Sequence, residues 1–148
     1  MNEVLLKILK THSDVTLPRY ESEYAAGMDI RAYVENDTVI PPLARAKIPT
    51  GLRLEIPAGY EGQVRPRSGL AIKQGLTVLN SPGTIDSDYR GELEIILVNL
   101  GESDVTIKNG DRIAQLVIAP VVRAEIAEAQ TLCASKRASC GFGSTGSV

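Results

Sequence analysis

The 148-residue chain has no Trp, one Phe, one His and two Cys. Each scarcity removes a class of chemistry. A Ser–His–Asp triad would have to recruit the single histidine, His12, and nothing around it marks a base. Zinc takes roughly four His, Cys or carboxylate ligands. Cys133, Cys140 and His12 cannot supply them, and no HExxH segment is present. The two cysteines could pair, but they read better as reduced cytosolic thiols. No apolar run reaches the roughly 20 residues of a membrane span. The N-terminus lacks the basic start and clean apolar core of a signal peptide. A formal net charge of −2 offers no broad attraction to nucleic acid. A soluble, cytoplasmic, single-domain chain is expected, long enough to bury a core without staples.

What the chain does have is many short strand patterns. Arg45 to Ile56 alternates apolar and polar residues around Gly51. Further strands are expected at Tyr60 to Arg65, Leu76 to Leu79, Glu92 to Leu100, Val105 to Ile107, Arg112 to Ile118 and Val121 to Ile126. Pro41-Pro42, Pro57 to Gly59, Gly101 and the hairpin-favouring pair Asn109-Gly110 punctuate them. Only Ser68 to Gln74 reads as a helix, with Ser68 as N-cap and Gly75 as stop. An all-β sandwich, jelly roll or barrel follows. The last stretch, 134–148, is small, Ser/Gly-rich and apolar-poor, and reads as a flexible tail on a 1–133 core.

The segment Asn80 to Glu92 is the densest in chemistry. Pro82-Gly83 signals a turn, with Gly83 supplying a positive φ. Asp86, between Ile85 and Tyr89, reads as a buried carboxylate. The whole suits a flat ring lying against backbone and Tyr89. In Arg65 to Leu70, amides at a helix start and the Arg67 guanidinium suit phosphate oxygens, although a capped surface helix remains open. Asp29 lies at a strand entry, and taken alone it reads more readily as a solvated turn residue than as a functional one. Gln115 sits inside an apolar strand and must find partners there, functional or structural. The tail from Arg137 to Gly146 carries a cation and the lone Phe142, but no Walker loop or Rossmann fingerprint.

In this order, five segments resemble the motifs of the trimeric dUTPase family: Ala26 to Ala32, Pro66 to Ala71, Gly83 to Glu92, Gly110 to Leu116 and Arg137 to Gly146. The second and third are specific singly, and the ordered set is very specific. The resemblance implies a jelly-roll-like (β-clip) subunit and a homotrimer with sites at subunit interfaces. It implies hydrolysis of dUTP to dUMP and pyrophosphate with Mg²⁺ on the triphosphate. That reaction keeps uracil out of DNA and supplies dUMP for thymidylate synthesis. Asp86 is then similar to the base that activates water, and Tyr89 to the ring under deoxyribose. Asn80 and the backbone of Thr84, Ile85 and Glu94 resemble the uracil readers. Arg67, Ser68 and Gly69 resemble the phosphate-binding trio. Gln115 resembles the glutamine near the α-phosphate and the water. Asp29 resembles the acid that holds water around Mg²⁺. Arg137 and Phe142 resemble the tail groups that grip the γ-phosphate and cover uracil.

The tail departs from the family pattern. Ala138 and Cys140 stand where the family usually has glycine, which reduces the freedom to visit φ > 0. A deaminase on the same scaffold would need a glutamate five places beyond Gly91, where this chain has Ile96. A dUTP-binding regulator and a purely structural sandwich are the remaining alternatives. The intact Asp86 argues against the first. Asn80, Asp86, Tyr89 and Gln115 go unexplained in the second.

Overall fold

A computed structural model describes residues 3–136, 138 and 139. The chain is all-β apart from one short helix. Strands β1 (Lys7–Lys10), β4 (Arg45–Glu55), β8 (Glu92–Asn99) and β6 (Leu76–Val78) form one antiparallel sheet in the order β1-β4-β8-β6. Strands β2 (Met28–Arg31), β10 (Arg112–Pro120), β5 (Tyr60–Arg65) and β7 (Gly83–Ile85) form the second, in the order β2-β10-β5-β7. A ribbon of β3 (Thr38–Ile40) and β9 (Val105–Ile107) completes a jelly-roll-like subunit.

Alternation makes the sandwich. In β4, Ile48, Thr50, Leu52 and Leu54 are buried, and they pack with Leu93, Ile95 and Leu97 of β8 and Ile113 and Leu116 of β10 in one apolar core. The two buried polar side chains are bonded. Thr50 Oγ1 donates to the Leu93 carbonyl at 2.6 Å. Asn99 Nδ2 donates to the Ile40 and Ser103 carbonyls, both at 2.8 Å. Pro49 pairs with Glu94 and Arg53 with Glu92, so Thr50, Gly51 and Leu52 bulge opposite Leu93 alone.

Several expectations change. The predicted strand Val121 to Ile126 is absent: Val122 and Ile126 are almost fully exposed, and among the described residues no strand pairs with the segment. Asn109-Gly110 does turn the chain, with Gly110 at φ 85, but it makes no hairpin because β9 pairs with β3. Gly83 has no positive φ. It opens β7 after a cis Ser81–Pro82 bond. A Cβ there would stand 3.3 Å from Asn80 Nδ2 and 3.3 Å from Val64 Cβ. Helix α1 spans Ser68–Gln74, but its N-cap is Arg67, with no side-chain cap bond; Gly75 stops it at φ 65 as expected.

Candidate active site

Three of the motif segments converge on one end of the second sheet. Gln115 of β10 lies opposite Asp29 of β2 on one side and Arg65 of β5 on the other. Asp29 Oδ1 accepts from Arg67 Nε at 3.0 Å, and Oδ2 from Arg112 Nη1 at 3.2 Å. Arg67 Nη1 donates onward to the Arg112 carbonyl at 3.2 Å. Gln115 Nε2 donates to the Pro66 carbonyl at 2.9 Å, which ties the fourth segment to the second. The first segment is fitted to the same amide, since a Cβ on Gly27 would collide with Gln115 Oε1. Thus Gly27, Asp29, Arg67 and Gln115, from three segments, brace one another.

This end of the domain is cationic. A depression of about 280 Å³ beside Asp29 is lined by Thr16, Leu17, Arg19, Glu21, Arg31 and Gly110. Arg19, bonded to Glu21, holds that carboxyl below its usual range, with weaker pulls from Arg112 and Arg31. Four arginines thus stand against two carboxylates, which leaves net positive potential for an anion. Ser68 and Gly69 are exposed alongside. The Ser68 hydroxyl caps nothing, and a Cβ on Gly69 would meet nothing within 4 Å. A larger depression, about 530 Å³, lies between Ile72–Gly75 and Gly101–Thr106 and contains none of the motif side chains.

The remaining described motif residues gather around the turn between β7 and β8. The Tyr89 amide donates to the Asp86 carbonyl at 3.1 Å. Arg90 Nη1 donates to the Ser87 and Tyr89 carbonyls at 2.7 and 2.9 Å. The Tyr89 hydroxyl donates to the Glu92 carbonyl at 3.1 Å. Its ring lies over Gly91, where a Cβ would run into Oη and Cζ. Asp86 is exposed, not buried, because it stands on the turn itself rather than in a strand. Neither β7 nor β8 pairs with the other, and β7 is an edge strand. Backbone groups of Thr84 and Ile85 are therefore open on one side, as edge-strand groups are. Asn80 is exposed before β7, and the Glu94 side chain forms a 2.8 Å ion pair with Lys47. That carboxylate holds the Lys47 ammonium above its ordinary pKa.

These two groups do not meet within one chain. Ile85 lies level with Gly62 of β5, while Gln115 lies level with Arg65. The separation is about 10 Å of strand. Asp86 continues beyond the first end and Arg67 beyond the second. Arg137, Cys140 and Phe142 lie outside the described residues. Sequence reading missed Arg112. Its position beside Asp29 follows a register shift in β10 between Arg112 and Ala114, which no local pattern announces. Among the described residues no group of three His, Cys, Asp or Glu side chains could hold a metal ion, and no helix is long and apolar enough to cross a membrane.

The dUTPase family model matches residues 13–146. A deoxyuridine 5'-triphosphate nucleotidohydrolase of Aquifex aeolicus is 58% identical over 148 residues, covering 99% of each chain. Among solved structures, the Staphylococcus bacteriophage 80alpha dUTPase with dUpNHpp superposes with a TM-score of 0.88 at 28% identity, covering 97% of this chain and 99% of that one. A mutant dUTPase from phage phi11 of S. aureus, described with a structural Mg(II) ion, gives 0.79 at 25% identity over 87% and 99%. With its motifs on these elements and a family match over most of its length, the chain belongs to the dUTPase family.

Proposed function

We propose that the chain, a hydrolase of the dUTPase family, splits dUTP into dUMP and pyrophosphate at sites shared between subunits of a homotrimer. The observation that carries the reading is that the motif groups are spare to the fold. Asp86 is exposed on a locked turn, Ser68 caps nothing, and Gly69 faces open space. Groups held rigidly but not needed for packing are what a substrate uses.

In this reading Arg67, Ser68 and Gly69 bind the phosphates, and Arg137 from the tail adds a cation. Asn80 and the backbone of Thr84, Ile85 and Glu94 read the uracil edge. A cytosine there would leave polar groups unpaired, which makes discrimination steep. Tyr89 lies under the deoxyribose and crowds out a 2′-hydroxyl, and Phe142 covers the base. The Asp86 carboxylate aligns one water for in-line attack on the α-phosphorus and takes its proton. Gln115, fixed on the Pro66 carbonyl, stands near that phosphate and the water. The roughly 10 Å offset along β5 supports assembly from two chains, since one chain cannot bring Asp86 to its own Arg67.

Mg²⁺ fits this donor set. It keeps several waters and rides on substrate phosphates rather than in an all-protein cage. Asp29 retains lone pairs beyond its two guanidinium contacts and would hold one of those waters. When bound, the ion neutralises phosphate charge. The expected setting is the cytoplasm, where removing dUTP keeps uracil out of DNA and provides dUMP for thymidylate.

The test is pyrophosphate release from dUTP with Mg²⁺, beside dCTP, dTTP and UTP, with Asp86→Asn as control. Release confined to dUTP and abolished in the variant is expected. Equal release from dCTP, or full activity in the variant, would sink the reading.

A further inference from the structure

We infer that Glu92 is a positioning residue for the sugar platform: it fastens the Asp86–Glu92 turn to the bulge of β4 and so fixes the plane of Tyr89. The inference rests on the reading of Tyr89 as the ring under deoxyribose.

The bulge frees backbone groups that a regular ladder would have paired. Three backbone groups there have the following partners. The Gly51 carbonyl accepts from the Thr11 amide at 2.8 Å. The Leu52 amide donates to Thr50 Oγ1 at 3.3 Å. The buried Gly51 amide donates to Glu92 Oε1 at 2.8 Å. Gly51 stands at φ 70, and a Cβ there would crowd Val15 and Thr11, so the bulge requires glycine at this position. The other end of Glu92 faces the turn, where its carbonyl accepts the Tyr89 hydroxyl. One residue therefore has its side chain in the sandwich and its main chain on the aromatic ring. Without the side-chain oxygen, the Gly51 amide loses its acceptor and the turn loses its anchor. What this joint requires is an acceptor at that reach, not a charge, so glutamine can replace glutamate and alanine cannot.

The experiment compares kcat/KM for dUTP and UTP in the parent, Glu92→Ala, Glu92→Gln and Tyr89→Ala proteins, each checked by thermal melting. Glu92→Ala is expected to lower the dUTP-to-UTP preference by about tenfold or more, as small misplacements do. Glu92→Gln is expected to keep it within about twofold. A purely structural role would lower Tm and both rates but leave the ratio alone, and that result overturns the inference. So does a glutamine variant as unselective as alanine. If Glu92→Ala does not fold, Tyr89→Phe removes the hydroxyl contact alone, and an unchanged ratio there overturns the inference equally. If Tyr89→Ala leaves the ratio intact, the platform reading itself fails, and the Glu92 inference with it. If Tyr89→Ala lowers the ratio and Glu92→Ala does not, only the Glu92 inference fails.

Discussion

Arg67 Nε lies 3.0 Å from Asp29 Oδ1, a contact that together with Nη1 on the Arg112 carbonyl fixes the guanidinium and leaves Nη2 for a further partner. Asp29 side-chain exposure is 16%, so the pair is screened less than a surface salt bridge. Arg112 occupies the second oxygen and prevents the carboxylate from rotating away.

Asp29→Ala should therefore act through Arg67. Losing a charge-assisted bond of about 1.5–3 kcal/mol predicts a roughly tenfold to hundredfold rise in KM for dUTP. Steady-state kinetics with a thermal melt checks this. A KM unchanged in a folded variant would show that Arg67 needs no such support.

Gly27→Ala should mimic loss of Gln115. The new methyl would drive the amide off the Pro66 carbonyl. We expect kcat to fall about tenfold or more, and the Gly27→Ala, Gln115→Ala double variant to be no worse than the single ones, because both remove one interaction. Additive losses would refute the link.

Subunit mixing tests the shared site. Arg67→Ala and Asp86→Asn proteins should each be inactive. Refolded together one to one, about a quarter of sites should combine an intact Arg67 with a partner's intact Asp86, as one half times one half for random closed trimers. Activity that stays at background in the mixture would mean each chain completes its own site.

Ala138 is held at φ 44, a left-handed conformation that costs a non-glycine residue about 1 kcal/mol or more. Its amide donates to the Ser135 carbonyl and hydroxyl, both at 3.1 Å. Ala138→Gly with Cys140→Gly should therefore lower KM for dUTP by about twofold to fivefold through easier tail closure. Identical KM and kcat would show that the tail never meets this strain during turnover.

Local chemistry made much of this legible. β4, β5, β8 and β9 carry period-two alternation or apolar runs, and Gly75 stops α1 where a left-handed residue is required. Sequence motifs likewise isolated Asp29, Arg67, Asp86, Tyr89 and Gln115. What was hidden depends on partners distant in sequence. β1 and β3 are short and gain strand identity from the residues of β4 and β9 across the ladder. Val121 to Ile126 has strand composition but no ladder among the described residues. Arg112 and Glu92 reach their partners through a bulge in β10 and another in β4, and a bulge leaves no periodic trace.

The β4 bulge also protects the strand's reading frame. Between Pro49 and Arg53 the chain uses two more residues than β8 does between Glu94 and Glu92, an even number. Side chains alternate with period two, so Ile48 and Leu54 still face inward on either side of it. The one-residue excess in β10 between Arg112 and Ala114 shifts the frame instead, so that the adjacent Ile113 and Ala114 are both buried and Leu116 follows. Excising two residues of the β4 bulge would keep the frame and remove the anchor for the Asp86–Glu92 turn, together with at least one of the buried Thr50 and Leu52 side chains. At this point in the chain the frame of the core and the joint to the Asp86–Glu92 turn rest on the same three residues.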